Sequence, residues 1–205
     1  MTQQTAKDSV QVTETKQRIW SSTLQEVRRS GVLGLRVADV AQGAGVSVPL
    51  IYRYFGNRDG LIATVVAGEV ARTYMEEMVR MEAIGSNAAD DELFEVILRL
   101  IPKPDDPWRY ERRWLRLEAK AAARSIPALR TSLNEVLSEI EDATTSLIER
   151  VRARCGNKST VPSRTIAWML NSFYDGFTNS DLKREPLSDE HYMPLLRAVL
   201  KEHMC

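Results

Sequence analysis

Cysteine and histidine are nearly missing from this chain, with two of each in 205 residues. Cys155 and Cys205 are too few and too far apart in sequence for a disulfide framework or a cysteine-rich zinc site, and they fit a reduced cytoplasmic setting. Neither His191 nor His203 has a serine, cysteine or carboxylate constellation around it that marks a nucleophile or a base, and Asp189 with His191 reads as a surface pair. No glycine loop cradles a phosphate and no residues have zinc spacing. The sequence therefore calls for no cofactor and no metal, and it argues against an enzyme. Missing too are a charged-then-apolar start and any apolar run long enough to cross a bilayer, so the expectation is a cytoplasmic protein without membrane contact. There is no strand signal, internal repeat or low-complexity tract. Net charge is absent as well, with 28 cations against 28 carboxylates.

The distribution of charge says more than its sum. Residues 1–60 hold eight cations against five carboxylates, which leaves the remainder acidic by three. A modestly basic head on an acidic body suits a DNA-binding domain tethered to something else.

The informative stretch is Val37 to Leu61, VADVAQGAGVSVPLIYRYFGNRDGL. Val37, Val40, Ala41 and Ala44 fall at i, i+3, i+4 and i+7, one face of a short helix. Gly45 stands where a helix end wants left-handed dihedrals. Val46 is placed to plug the core at the bend, and Ser47 to accept a backbone N–H as the next N-cap. Pro49 sits in that helix's first turn, where a missing N–H costs nothing. Val48, Ile51, Tyr52 and Phe55 then form a second face at helical spacing. The pattern is a helix-turn-helix whose second helix would enter the major groove.

VADVAQGAGVS, IYRYF, Asn57-Arg58-Asp59 and Leu61, extended backwards through Arg18, Ile19, Leu24 and Gly31, closely resemble the TetR family of one-component transcriptional regulators. The resemblance covers roughly the first third of the chain. It implies an all-α fold: an N-terminal three-helix helix-turn-helix DNA-binding domain, then a helical-bundle ligand-binding and dimerisation domain. The boundaries expected are 1–60, with 1–14 a disordered arm, and 61–205.

Site residues follow from the same resemblance. Ser47, Tyr52, Tyr54 and Arg58 match positions that hold phosphates, which fix register without reading sequence. For Tyr54, partial burial against the head is an equal alternative. Where the family commonly has a capping Thr or Ser, this chain has Arg36. Arginine cannot cap but can reach a phosphate, so the contact is kept while capping loses on the order of 1 kcal/mol. Val48, Pro49 and Leu50 face the bases and offer only apolar contact. Arg53 is the polar base reader, with guanine as its natural partner. Ser22 and Thr23 stand where small apolar residues are usual, making the head's core somewhat more polar.

After the head, the periodicity predicts a first helix before it from about Glu14 or Thr15 to Ser30, and a long helix from Arg58 to about Ala83 capped by Asn57. Further helices are expected from Asp91 to Ile101, Trp108 to Ser125, Pro127 to Cys155, Ser163 to Lys183 and Asp189 to Met204, with the PKPDDP segment as a rigid connector. The last two helices, about 163–204, carry more apolar surface than one body needs, and in the family they pair across a twofold axis. A homodimer would present two recognition helices roughly 34–36 Å apart to a pseudo-palindromic DNA operator. The resemblance also implies an unknown small-molecule inducer among the body helices, with Tyr74, Met78, Trp114, Glu118, Trp168, Phe173 and Tyr174 as candidate lining. Glu118, if buried, needs an internal arginine or a cationic ligand; otherwise it is a solvated carboxylate. Repression is expected as the family's commoner mode. The alternative kept open is a helical partner-binding or architectural DNA-binding protein without a small-molecule inducer.

Overall fold

A computed structural model of the chain describes residues 2–90, 92–101, 103, 109–185 and 188–205, with side chains from Val12 onwards except that of Asp189. The helix start expected at Asp91, most of the PKPDDP connector, Trp108 and the proline break at Pro186 lie outside the described residues. Among the described residues every regular element is helical: α1 (Thr2–Gly34), α2 (Val37–Ala44), α3 (Val48–Phe55), α4 (Arg58–Ile62), a π-helical turn (Ala63–Ala67), α5 (Gly68–Ser86), α6 (Leu93–Leu100), α7 (Tyr110–Ala122), α8 (Pro127–Cys155), α9 (Ser163–Asp181) and α10 (Asp189–Met204).

The backbone is helical from Thr2, where the sequence suggests an irregular arm. No glycine or proline interrupts the chain between Thr2 and Ser30, so nothing in its local chemistry stops a helix once the later turns have formed. The break comes at Gly31, whose φ of 73° and ψ of 166° are not helical. A Cβ there would also lie 3.2 Å from Glu118 Oε2, which accepts the Val32 backbone N–H at 3.0 Å.

Two compact units emerge. The first runs up to Val70 and includes Glu118–Glu135; the second comprises Ala71–Leu117 and Val136–Cys205. The first unit thus takes in Glu118–Glu135, which lies beyond the boundary at residue 60 expected from the sequence. In the first unit Ile19, Val27, Val40, Ile51, Leu61 and Ile62 are buried, and α1, α2, α3, α4 and the π-turn pack on one another. The π-turn widens one turn of helix so that Ala63, Val65, Val66 and Ala67 are all buried. The polar head core is real and satisfied: Ser22 Oγ donates to Val40 O at 2.9 Å and Thr23 Oγ1 to Ile19 O at 2.7 Å.

The second unit is organised around Met78, Leu93, Phe94, Ile97, Leu98, Ile148, Val151, Ile166, Phe177, Tyr192, Leu196 and Leu200. Tyr192, Leu196, Leu200 and Met204 form the inward stripe of α10, while Leu195 is 65% exposed. The two cysteines overturn the reading of reduced, separate thiols: Cys155 and Cys205 form a disulfide, with Cα atoms 5.1 Å apart, and no described cysteine is free. Sequence separation does not measure spatial separation. α10 returns along α8, where Arg152 Nε donates to His203 O at 2.6 Å, and this brings the chain's last residue to the end of α8.

Candidate nucleic-acid interface

The turn between α2 and α3 is built by backbone bonds that only one residue type accommodates easily. Gly45 takes φ 63° and ψ 42°; its N–H reaches Gln42 O at 3.2 Å, and the Val46 N–H reaches Ala41 O at 3.0 Å. This paired closure of a helix end is the Schellman arrangement, and a side chain at Gly45 would strain it. It turns the chain onto α3 with Val37, Val40, Ala41 and Ala44 buried behind and Ile51 buried beneath.

Ser47 occupies the N-cap position of α3, but its side chain makes no capping hydrogen bond, contrary to expectation. The cause is Pro49, which has no N–H to offer; the next one, on Leu50, donates to the Ser47 carbonyl at 3.1 Å. The exposed Ser47 hydroxyl is left facing outwards. Arg36 precedes α2 without capping it, as its chemistry requires, and is likewise exposed. At the other end of the recognition helix Asn57 Oδ1 accepts the Gly60 N–H at 2.8 Å, the cap the sequence suggests. A Cβ at Gly60 would stand 2.1 Å from Phe55 O, so this turn tolerates no larger residue without moving.

The outward surface therefore comprises Arg36, Ser47, Pro49, Tyr52 and Arg53, all exposed, with Val48 and Leu50 half-buried. Tyr54 is half-buried: its ring packs edge-on to Phe55, and Lys16 Nζ lies 5.5 Å from its centre. Lys16 is a cation at this edge that helical periodicity alone did not single out. Arg58 is held by the head itself. Its Nη2 donates to Leu33 O at 2.7 Å, its Nε to Leu35 O at 3.0 Å, and its Nη1 lies 3.4 Å from Asp59. These carbonyls belong to the stretch joining α1 and α2, so Arg58 ties the start of α4 to that stretch. Its spacing from the recognition helix carried no sign of this job.

Behind the interface, Glu26 is buried and accepts Arg29 through both carboxylate oxygens at 2.8 Å, as well as Ser30 Oγ at 2.9 Å. The Arg29 hydrogen bonds hold its carboxyl below the usual range against the opposing effect of burial. Arg29 also bonds Asp39 in the first turn of α2, at 2.8 Å.

The body residues named from sequence are dispersed. Glu118 belongs to the first unit and accepts the Val32 N–H. Trp168 and Phe173 are 63% and 42% exposed, and Met78 is in the core. Tyr74 and Tyr174 do meet the same charges. Burial raises both phenols, Glu77 raises them further, and Arg116 opposes it. Arg116 lies 5.2 Å from the Tyr174 ring centre. Arg109, Arg113 and Arg116 form a buried row that the sequence reading passed over, because three arginines look like a solvated face. Their carboxylates come from distant segments: Glu77 at 3.6 Å from Arg109, Asp181 at 2.7 Å from Arg113 and Asp175 at 2.9 Å from Arg116. The Trp114 indole N–H and Arg113 Nη1 are buried donors without a hydrogen-bond acceptor among the described residues.

A short helix closed by a left-handed glycine, followed by a second helix with an exposed polar face, is a helix-turn-helix, the motif whose second helix enters the major groove in DNA-binding proteins. Residues 19–65 match the family model of bacterial regulatory proteins of the tetR family. Over 165 residues, 80% of either protein, the chain is 24% identical to the HTH-type transcriptional repressor AcnR of Corynebacterium glutamicum. Among solved structures, a TetR-family transcriptional regulator from Rhodococcus sp. superposes with a TM-score of 0.73 at 23% identity, covering 94% of this chain and all of that one. A transcriptional regulator from Saccharomonospora viridis, solved in complex with choline, gives a TM-score of 0.67 at 18% identity over 93% of this chain and 97% of that one. Residues 19–65 thus match the tetR-family model, and the chain as a whole shares the fold of these regulators.

Proposed function

We propose that the chain is a cytoplasmic repressor that binds a pseudo-palindromic operator as a homodimer and is released by a small molecule held in its helical body. The observation that carries the DNA half is the surface on α3. Arg53, the side chain there that can form a bidentate pair with guanine, is exposed together with Tyr52, Ser47 and Arg36, and the apolar Leu50 is half-buried. In this reading Ser47, Arg36, Tyr52 and Tyr54 hold phosphates, while Val48, Pro49 and Leu50 fill the groove. Repression is supported by likeness to the repressor AcnR.

The dimer is supported by large apolar side chains left in solvent on the last two helices: Trp168, Phe173 and Leu195 are 63%, 42% and 65% exposed. An inducer is supported by the unsatisfied Trp114 and Arg113 donors, which suit a ligand that brings acceptors. Selection of genomic fragments on the full chain at two salt concentrations tests the whole reading. A pseudo-palindrome recovered with a steep salt slope is expected. Weak, sequence-blind binding would instead favour a helical partner-binding module.

A further inference from the structure

The disulfide between Cys155 and Cys205 joins the last residue of α8 to the residue that follows α10. It stands among side chains that hold the same end of α10. Arg152 Nε donates to His203 O at 2.6 Å, Asn157 Nδ2 to Glu202 O at 3.3 Å, and Ser159 Oγ lies 3.1 Å from His203 Nδ1. Nearer its start, α10 is weaker. Pro194 stands inside the helix with no N–H to donate, so one helical hydrogen bond is missing just before the exposed Leu195. The disulfide is thus a covalent clasp on a helix whose other attachments can fray.

A purely structural staple is the expected use of a disulfide in a small secreted domain with too little core. The second unit is not of that kind: Leu98, Ile148, Val151, Ile166, Leu196 and Leu200 are buried together. The proposed cytoplasmic regulator also works where thiols are kept reduced, and disulfides there are usually transient or redox-sensing. The surroundings suit such chemistry. Both cysteines are half-buried rather than sealed in the core. Arg152, one turn before Cys155, keeps its Nη2 group without an acceptor among the described residues, and a nearby cation favours the reactive thiolate.

We propose that Cys155 and Cys205 are a thiol–disulfide switch, closed by a hydroperoxide and opened by a dithiol, and that the closed form dimerises and binds operator. The first clause stands on the cysteine pair alone; the second rests on the regulator reading above. In closing, one thiolate attacks the peroxide O–O bond, releasing water or an alcohol and leaving a sulfenic acid. The second thiol then displaces that hydroxyl as water and the S–S bond forms, two electrons having passed from sulfur to the peroxide. In opening, a dithiol attacks the S–S bond, gives up two protons and two electrons, and leaves as its own cyclic disulfide. With the clasp open, α10 is docked for less of the time. Both copies must present the face, so the dimer's apparent affinity falls with the square of the docked fraction.

The test uses the full chain, oxidised with hydrogen peroxide or reduced with dithiothreitol, with free thiols counted by maleimide labelling and mass measurement. Sedimentation equilibrium and operator titration of both forms are the readouts. Reduction is expected to weaken dimer and operator binding by about tenfold or more, and reoxidation to restore both. Cys155→Ser and Cys205→Ser should each sit at the reduced value in either reagent, with melting temperatures confirming that they fold. A disulfide that dithiothreitol does not open below the melting temperature, or that peroxide does not re-form, overturns the switch. So does a reduced chain that melts lower yet dimerises and binds operator as before, because the crosslink is then a staple only. Tighter operator binding by the reduced chain overturns the second clause. If neither form binds DNA, the regulator reading fails and takes the second clause with it, while reversible thiol counts uphold the first.

Discussion

Two arginines close together in sequence do opposite work. Arg53 is exposed on α3, whereas Arg58 donates to the carbonyls of Leu33 and Leu35. Arg53→Ala should leave the melting temperature alone and relax discrimination at one base position by about 1–3 kcal/mol. Arg58→Ala should lower the stability of the DNA-binding unit by roughly 2 kcal/mol, because two carbonyls lose charged donors. Competition binding against single-base operator variants, beside thermal melts, separates the two; a stable Arg58→Ala chain with altered base preference would reverse the assignment. Glu26 gives a pH signature. Its folded pKa lies below the ordinary carboxylate value, chiefly through the Arg29 hydrogen bonds. The resulting stabilisation is present above the unfolded pKa and is lost as pH falls through the lower folded value. Urea midpoints of the native chain and Glu26→Gln should therefore differ at neutral pH and converge in acid. A gap independent of pH would mean that Glu26 acts by shape alone.

At the scale of elements, legibility followed locality. The α2–α3 turn could be read from Gly45, Ser47 and Pro49 because its geometry is decided within a few residues, and α8 and α10 begin and end where proline and periodicity put them. The Ser47 cap failed on equally local grounds that the reading had in view but did not combine: Pro49 removes one of the N–H groups a cap would use. What distant segments decide stayed hidden. Glu118 was read as body, yet it bonds a backbone N–H 86 residues earlier. The arginines of α7 look solvated until Asp175, Asp181 and Glu77 are brought to them. The disulfide is the sharpest case, since nothing local to Cys155 announces Cys205. Closing a loop of 50 residues should stabilise the body by about 4 kcal/mol on the chain-entropy estimate. Reductant should lower the melting temperature of the native chain, and Cys155→Ser should melt at the reduced value whether or not reductant is present. A native chain indifferent to reductant would show that the crosslink carries no stability.

For the whole molecule, the decisive question is what covers α9 and α10. Trp168 and Leu195 are 63% and 65% exposed, while their helix neighbours Ile166, Ala167 and Leu196 are buried in one body. Each helix therefore has an inward stripe already used and apolar side chains beyond it. A twofold axis solves this economically, because a self-complementary face buries each protruding side chain twice. If DNA binding needs two heads, affinity depends on this surface as well as on α3. Joining two weak half-site contacts makes the second intramolecular and raises affinity by about 10²–10⁴ without any new contact to DNA. Trp168→Glu with Leu195→Glu should then give a folded monomer by sedimentation equilibrium, since neither side chain belongs to the core. The same variant should lose operator affinity by that factor, while its salt slope per half-site and its preference at the Arg53 position are retained. A variant that stays dimeric would place the interface elsewhere. A monomer that still binds with native affinity would show that one head suffices, and the pseudo-palindromic operator would go with the dimer.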